Sequence, residues 1–334
     1  MNILAIESSC DETAAAVVTD GRIVRSSVVN SQIAEHIKYG GVVPEIASRR
    51  HVTNISYVAD QAISESGLSI DEIDAVAVTH APGLIGALLV GVNFAKGFAY
   101  SHNKTLIPVH HIRSHVAANY IAHEDLKPPF VCLIASGSHS HIVYVEDYTK
   151  YKILGRTRDD AAGEAFDKAA RILGLPYPGG VHIDRLTPDG DANAIKFPKV
   201  HFKDAPYDFS FSGVKTSVIN YVHNLEQKGL PIPREDVAAS FSEAVTGILS
   251  ENVLSAAREY NVDTVVMAGG VCANSQLRAK MEKGAKKYGM KLFMPPVALC
   301  TDNAAMVGAQ AYYEYLDGKR AELSLNGKSA LSIE

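Results

Sequence analysis

The stretch that decides the fold is residues 3–29, which read ILAIESSCDETAAAVVTDGRIVRSSVV. Three apolar, β-branched runs separated by short polar turns are typical of three short strands. These runs are Ile3–Glu7, Thr13–Thr19 and Arg22–Val29. The same order of runs and turns returns in residues 130–156, at Phe130–Ala135, Ile142–Glu146 and Lys152–Arg156. The matching lengths predict that one three-stranded meander is used twice.

Each meander is followed by segments of helical periodicity and by further buried strands. After the first we expect helices at about 44–66 and 84–102 and strands at 75–79 and 105–109. After the second we expect helices at about 162–174, 213–227, 235–260, 274–288 and 303–317, and a strand at 264–268.

A βββαβα unit used twice predicts an α/β fold with two lobes. The N-lobe is predicted to comprise residues 1–129 plus about 303–334, and the C-lobe residues 130–302. Two such sheets are expected to face each other across an interlobe cleft, because α/β folds bind ligands at clefts and topological switch points.

The overall charge favours no polyanionic partner by itself. The 32 Lys and Arg and 37 Asp and Glu give a formal net charge of −5, so a nucleic acid would need a local basic patch. Two candidates are Arg49–His51 and the basic residues between Arg278 and Lys287, although the second also fits a solvated helix face.

Cysteine use and hydropathy predict a soluble cytoplasmic protein without a membrane partner. The four cysteines show no CxxC pair, which suits a reducing compartment. No secretory signal is visible, and the apolar stretch Ala81–Val92 is too short to span a bilayer.

The first turn of each meander is rich in small polar residues. Such turns, at Glu7–Thr13 and Ala135–Ser140, expose backbone N–H groups, and two of them together can clamp a phosphate. Asp11 and Glu12 would repel that phosphate, so we expect them to hold a cation, orient water or accept a proton. These two acids are the candidate catalytic residues.

Glycine turns later in the chain are candidates for binding the nucleoside. Gly269 and Gly270 follow a buried strand and allow a flat base to approach, and Asn274 can cap the next helix or bond the ligand. Gly180 offers another close approach, while Asp167 and Asp184 could accept hydrogen bonds from ribose hydroxyls. In the actin, sugar-kinase and chaperone ATPase superfamily an adenosine would lie at such a third turn.

Two histidines four residues apart suggest a metal site. On a helix His111 and His115 project from one face and can chelate one ion, although such a pair alone is often structural. Asp302, at the start of the last predicted helix, is the candidate third ligand. Two imidazoles and one carboxylate leave open coordination positions and suit Fe(II), with Zn(II) and Mn(II) as alternatives.

Taken in order over nearly the whole chain, these motifs resemble the TsaD family of tRNA threonylcarbamoyladenosine transferases. The resemblance rests on Ile6–Thr13, Gly40–Glu45, Pro82–Leu88, His111 and His115, Gly163–Lys168, Tyr177–Gly180, Phe209–Thr216, Ala238–Phe241, Gly269–Ser275 and Cys300–Asn303. The family implies an actin-like ATPase or ribonuclease-H-like fold in each lobe.

The resemblance also implies an activity and partners. The family takes threonylcarbamoyl-AMP from a separate synthase and transfers its threonylcarbamoyl group to the exocyclic amine of adenosine 37, in tRNAs that read ANN codons. Bacterial members work with an inactive paralogue subunit and a small ATPase subunit. One divalent metal ion per subunit is expected, Fe(II) first and Zn(II) as the alternative.

Residue by residue, His111, His115 and Asp302 match the family's metal ligands, and Asp11 and Glu12 match its acidic pair near the reacting centre. Its nucleotide-site residues match a set in the second half of the chain. That set is Ile134, Ala135, Ser136, Gly137, Ser138, Asp167, Gly180, Asp184 and Asn274.

Four positions depart from the family pattern. Ser138 replaces a glycine, Arg113 and Ser114 replace Glu-Gly or Glu-Ala between the histidines, and Val181 replaces a proline. Ser138 would be strained if its backbone had a positive φ. Because the ligand positions are kept, we interpret these changes as variation within the family.

Other functions fit part of the pattern. An ATP-dependent kinase explains the loops but not the metal ligands. A metallopeptidase needs a glutamate base between its histidines, where this chain has Ile112–Ser114. A scaffolding paralogue should have lost a metal ligand, whereas a carbamoyltransferase with a small-molecule acceptor would use the same chemistry and stays open.

Overall fold

The computed structural model describes residues 1–334. Ten strands are formed: β1 Asn2–Glu7, β2 Glu12–Thr19, β3 Ile23–Ser31, β4 Ala75–Ala81, β5 Thr105–His110, β6 Phe130–Ala135, β7 Ser140–Asp147, β8 Lys150–Arg156, β9 Thr264–Ala268 and β10 Lys291–Phe293. The α-helices are α1 Ile33–His36, α2 Pro44–Ser66, α3 Ile85–Ser101, α4 His111–Ala122, α5 Ala162–Ile172, α6 Gly179–Leu186, α7 Ser212–Gln227, α8 Arg234–Glu259, α9 Ser275–Tyr288 and α10 Ala304–Leu316.

The two sheets repeat one topology, which confirms the predicted duplication and fold class. The first has the order β3-β2-β1-β4-β5, with an antiparallel meander and with β4 and β5 parallel to β1. The second has the order β10-β9-β6-β7-β8, with β6 antiparallel to β7 and parallel to β9.

Alternation along β1 explains why helices cover both faces of the first sheet. Successive side chains of a strand point to opposite faces. Ile3 and Ala5 enter a core that includes residues of α10, whereas Leu4 and Ile6 enter a second core with residues of α2 and α3. A strand buried on both faces reads as an unbroken apolar run, as β1 does.

The chain forms two compact units. The first comprises Met1–Pro128, Glu146–Tyr151 and Pro295–Glu334, and the second Pro129–Val145 and Lys152–Met294. This division differs from the predicted boundaries at residues 146–151 and 295–302, which belong to the first unit. Asp302 therefore lies in the same unit as the two histidines.

Most predicted elements lie within two residues of the observed ones. Helices α1, α4 and α6 had no predicted range. In α6 the reason is that Pro178, Gly179 and Gly180 read as a turn and yet open a helix. The short edge strand β10 was also not predicted. None of the helices is long and apolar enough to cross a membrane.

Parallel strands place their carboxyl ends at one edge of each sheet. In the first sheet these ends are Glu7, Ala81 and His110. In the second they are Ala135 and Ala268. The segments that follow these strand ends carry many of the candidate site residues, whereas Asp167, Gly180 and Asp184 lie in helices α5 and α6.

Candidate metal centre and nucleotide-binding loops

The metal-binding histidines lie on a helix that starts directly at the end of a strand. His110 is the last residue of β5 and caps α4, where its Nδ1 accepts a hydrogen bond from the Ile112 N–H at 3.2 Å. His111 and His115 follow on one face of α4, and both are buried. Their rings meet edge to face with centroids 4.7 Å apart.

Asp302 completes a set of three ligand atoms. Its Oδ1 lies 3.1 Å from Nε2 of His115 and 3.6 Å from Nε2 of His111. Asp302 lies two residues before α10, which begins at Ala304. The residue between them, Asn303, caps that helix with its side chain. The ligand atoms of the three residues all lie within 4.8 Å of one another.

This geometry fits a metal ion. Ligands at about 2.0–2.2 Å from a shared ion lie roughly 3–3.5 Å apart. The two nitrogen–oxygen distances here, 3.1 and 3.6 Å, are close to that range. His115 Nε2 is buried and makes no hydrogen bond, although Asp302 Oδ1 is close enough for one. Buried polar atoms are normally satisfied, and an ion bound by this nitrogen in its unprotonated form would satisfy it.

A buried carboxylate orients His111. Its Nδ1–H lies 3.1 Å from Oε2 of Glu7 and 3.2 Å from Oγ of Ser9, which leaves Nε2 for an ion. Glu7 also accepts hydrogen bonds from the Ser9 N–H at 2.6 Å and the Thr79 hydroxyl at 2.7 Å. A carboxylate behind a histidine ligand fixes its tautomer and raises its basicity.

The charges of this cluster shift the pKa values of its members. Burial lowers the pKa of His111, but Asp302 and Glu7 outweigh it and raise that pKa to about 9. Burial alone would raise the pKa of Glu7, and the charge and hydrogen bond of His111 bring it below its usual value. Without a metal ion, His111 therefore carries the positive charge that the two carboxylates require.

The first turn carries Asp11 and Glu12 in a largely buried setting. Asp11 is 7% exposed, and Oε1 of Glu12 accepts a hydrogen bond from the Ser31 hydroxyl. Burial first, and then the charges of Asp302 and Asp11, raise the pKa of Glu12 to about 10. Both acids thus lie in the first unit, where the metal cluster is found.

His51 of α2 bridges both ends of this turn. Its Nε2–H donates to the Cys10 carbonyl at 2.9 Å, and its Nδ1 lies 2.8 Å from Oγ1 of Thr13. Burial lowers the pKa of His51. The neutral imidazole therefore accepts from the Thr13 hydroxyl and holds the two residues that flank Asp11 and Glu12.

The second unit gathers the predicted nucleotide residues. Residues 134–138 leave the end of β6, and the Ser136 N–H donates to the His139 carbonyl at 2.8 Å to close the turn. Gly163, at the start of α5, donates its N–H to the Ser136 carbonyl. Ser138 is not among the residues with positive φ, so the substitution of glycine there carries no backbone strain.

Two aspartates tie neighbouring segments of this unit together. Asp167 accepts a hydrogen bond from the Gly179 N–H at 2.7 Å, and burial raises its pKa. Asp184 accepts from the N–H and the hydroxyl of Ser275 at 3.0 and 2.8 Å. Asn274 caps α9 through a hydrogen bond from the Leu277 N–H, as the sequence predicted.

Gly269 brings the third turn against the second. Its φ is +92°, and an added Cβ would collide with the Ala135 carbonyl oxygen. Residues 134–138 and 269–274 lie at the carboxyl ends of β6 and β9, which are adjacent parallel strands, so the two turns meet at one edge of the sheet. Whether they bind a nucleotide stays a prediction.

The sequence analysis gave no separate role to Glu7 and Ser9, and it placed His51 in a basic patch with Arg49 and Arg50. That placement is wrong for His51, which is fully buried and whose pKa is lowered by burial. A signal for Glu7 existed, because a carboxylate ends an otherwise apolar strand and is fully buried. Buried charges of this kind are paired or bound to metals. The roles of Ser9 and His51 depend on partners far along the chain and had no comparable signal.

Comparison with known proteins identifies relatives. Residues 23–309 match the family model described as "TsaD: tRNA N6-adenosine threonylcarbamoyltransferase". The chain is 53% identical over 333 residues to the tRNA N6-adenosine threonylcarbamoyltransferase of Clostridium botulinum strain 657, covering 100% of this chain and 98% of the relative. It is 54% identical over 331 residues to that of Clostridium perfringens strain ATCC 13124, covering 99% and 98%.

Solved structures support the fold. HypF of T. kodakarensis matches 95% of this chain and 48% of its own with a TM-score of 0.64 and 16% identity. At this identity the likeness concerns the fold alone, and it agrees with the two mixed five-stranded sheets described above.

Proposed function

The chain belongs to the tRNA N6-adenosine threonylcarbamoyltransferase (TsaD) family, and from this premise we propose its reaction. It transfers the threonylcarbamoyl group of threonylcarbamoyl-AMP to the exocyclic amine of adenosine 37, in tRNAs that read ANN codons. The observation that carries the proposal is the cluster of His111, His115 and Asp302, whose ligand atoms lie within 4.8 Å of one another.

The reaction forms one bond and breaks another. The N6 nitrogen of the adenosine attacks the carbamoyl carbon, and the bond from that carbon to the phosphate oxygen breaks, so that AMP leaves with the electron pair. The N6 proton must leave as the new bond forms. Because the donor is already activated, the protein's task is to align the reactants and exclude water.

The first unit supports this task through the metal ligands and the first turn. We assign Fe(II) to His111, His115 and Asp302, with Zn(II) as the alternative, because two imidazoles and a carboxylate suit both. A bound ion would supply Lewis-acid polarisation of the oxygen that it contacts. Asp11 accepts the N6 proton. Glu12 is the second acid of this turn, and its hydrogen bond from the Ser31 hydroxyl helps to hold the turn in place.

The second unit supports binding of the AMP part. Within residues 134–138, the exposed Gly137 and Ser138 carry the backbone N–H groups that suit the phosphate, and Ile134, Ala135 and Ser136 hold the turn that presents them. Asp167, Gly180, Asp184 and Asn274 suit the nucleoside. Asp184 and Asp167 already accept backbone N–H groups and keep further lone pairs for ribose hydroxyls.

The proposed partners follow from the family. They are tRNA, an inactive paralogue subunit and a small ATPase subunit, in the cytoplasm. With a net charge of −5 this chain would depend on local basic surface, its own or its partners', to hold tRNA phosphates.

Reconstitution tests the function. Threonine, bicarbonate, ATP, the synthase, the partner subunits and a tRNA transcript are combined with the chain, and modified adenosine is sought by mass spectrometry. We expect threonylcarbamoyladenosine with the parent and none with His111→Ala. Transfer of phosphate from ATP to an acceptor by this chain alone, without the ATPase subunit and without modified tRNA, would instead support a kinase. A modified small molecule would support the other carbamoyltransferase.

Asp11→Asn tests the proton acceptor. The amide keeps the size of the side chain but cannot accept the proton, so the single-turnover transfer rate should fall about 100-fold or more. Metal content should stay that of the parent. An unchanged transfer rate removes Asp11 from this role.

A further inference from the structure

The last residues of the sequence form hydrogen bonds with the helix that carries the metal-binding histidines. Residues 328–333, here called the C-terminal strap, bind the end of β4 and the loop after it, the end of β5 and the first turn of α4 through their backbone groups. These hydrogen bonds are Lys328 N–H to His80 O (2.9 Å), Gly83 N–H to Ser329 O (3.2 Å), His110 Nε2 to Leu331 O (3.2 Å) and Arg113 to Ile333 O. Ile333 is 4% exposed, which anchors the strap by burial of its side chain.

The strap determines the tautomer of the residue that caps α4. The Leu331 carbonyl can only accept, so it requires a proton on Nε2 of His110. The other nitrogen, Nδ1, then keeps the lone pair that accepts the Ile112 N–H. The strap and the helix cap thus support each other, next to the ligand His111.

Arg113 makes the strongest contact with the strap. Its Nε and one terminal nitrogen both donate to the Ile333 carbonyl, at 2.9 and 2.7 Å. Its other terminal nitrogen lies 3.0 Å from Oε1 of Glu314 in α10, and its guanidinium lies 5.0 Å from the centre of the Tyr151 ring. Arg113 is one of the four positions at which this chain departs from the family pattern.

A second route leads from the strap to the same ligand. Gly83 donates to Ser329 of the strap, and its neighbour Leu84 donates to the Ser9 carbonyl at 2.8 Å. The Ser9 hydroxyl lies 3.2 Å from Nδ1 of His111. His111 is therefore supported by the strap from its own helix and from the first turn.

We propose that the C-terminal strap is part of the outer support of the metal centre and that Arg113 is its positioning residue. The strap holds α4 so that the two imidazoles face Asp302 before an ion arrives. This inference rests on the metal site of the proposed function. Groups that orient ligands typically change metal affinity by about 10–100-fold when removed.

Zinc binding to the purified full chain tests the proposal, measured by competition with a chromophoric chelator. A chain that ends at Gly327 should bind Zn²⁺ at least about tenfold more weakly than the parent. Arg113→Lys, which keeps the charge but loses the paired hydrogen bonds, should weaken binding about three- to tenfold. Arg320→Lys is the matched control, because Arg320 lies on the exposed start of the tail, and it should bind as the parent does.

Hydrogen exchange of the metal-free proteins provides a second readout. Loss of the strap should speed exchange of the amides in α4, while those of α8 exchange as in the parent. If Arg113→Lys and the shortened chain bind Zn²⁺ as the parent does, or if α4 exchange is unchanged, the strap proposal is overturned. A parent chain that binds no metal overturns the metal site itself, which is a different result.

Discussion

In both copies of the meander a turn follows the first strand, and the two turns differ in how deeply their residues are buried. In the first copy Ser8, Ser9 and Asp11 are buried. In the second copy Gly137 and Ser138 are exposed. The repeated meander thus places buried polar side chains near a charged cluster in the first compact unit. In the second compact unit it leaves the backbone of the turn exposed.

Both turns are held in a similar way. A backbone N–H binds a turn carbonyl in each, Leu84 to Ser9 and Gly163 to Ser136. A glycine packs against the same carbonyl, and a Cβ added to Gly83 or to Gly163 would lie 2.6 Å from that oxygen. The comparison teaches that the scaffold is duplicated while the neighbouring residues differ, which suits a cation in one copy and an anionic ligand in the other.

The largest expected effect comes from removing the carboxylate of the metal cluster. Asp302→Ala should lower Zn²⁺ affinity by more than about 100-fold, because it removes one of three ligands. AMP affinity, which we assign to the second unit, should not change. Competition with a chelator and calorimetry measure the two affinities, with Asp317→Ala at the end of α10 as the control. Retained Zn²⁺ affinity would mean that Asp302 is not a ligand.

Substitution of the two glycines, Gly83 and Gly163, tests whether the two turns act independently. Gly83→Ala should displace Ser9 and weaken Zn²⁺ binding about tenfold with AMP binding retained, whereas Gly163→Ala should do the reverse. Gly97→Ala in α3, where a Cβ meets no atom within 4 Å, is the control. If each variant weakens both affinities equally, the turns do not act independently.

Hydrogen bonds behind the turns should contribute smaller and comparable amounts. Thr13→Val leaves Nδ1 of His51 without its donor, and Ser140→Ala leaves the Ala162 N–H without its acceptor at 2.9 Å. Each change should lower the free energy of unfolding by about 1–2 kcal/mol. Urea unfolding measures the loss, and a value near zero for either variant would show that water replaces the missing partner.

The smallest effect concerns an ion cluster beside the second turn. Burial raises the pKa of Asp160, but hydrogen bonds from Lys215 and Lys168 bring it below its usual value. A lowered folded-state pKa stabilises the protein above about pH 4, and this contribution is lost as the pH falls through the folded value. Asp160→Asn should therefore be less stable than the parent by about 1 kcal/mol at pH 7.

The difference between these two proteins should shrink as the pH falls below about 4, because the unfolded parent then gains a proton at this carboxyl and the folded parent follows as the pH passes through its lowered pKa. Thermal unfolding at several pH values measures it. A difference that is independent of pH would indicate that the charge of Asp160 does not contribute.

The sequence was most informative where a pattern is local. Strand β6 and helix α2 were predicted at their observed limits, because a continuous apolar run in β6 and helical spacing in α2 are visible within the segment itself. Helix α6 was missed because its proline and two glycines are strong turn signals, while its position is set by close packing of Gly179 against Ala170. Packing of this kind is not visible in a local window.

The sequence by itself determined the duplicated meander, the α/β class and the pairing of His111 with His115, since one helical turn connects the two histidines. Asp302 was named as a candidate ligand from the sequence, but only the tertiary structure gave its distances to the histidines. Only the tertiary structure decided that Glu7 contacts His111 and that Arg113 binds Ile333. These partners are separated by more than 100 residues along the chain. Their meeting depends on how helices α4 and α10 pack beside the first sheet, and no periodicity in the sequence records that contact.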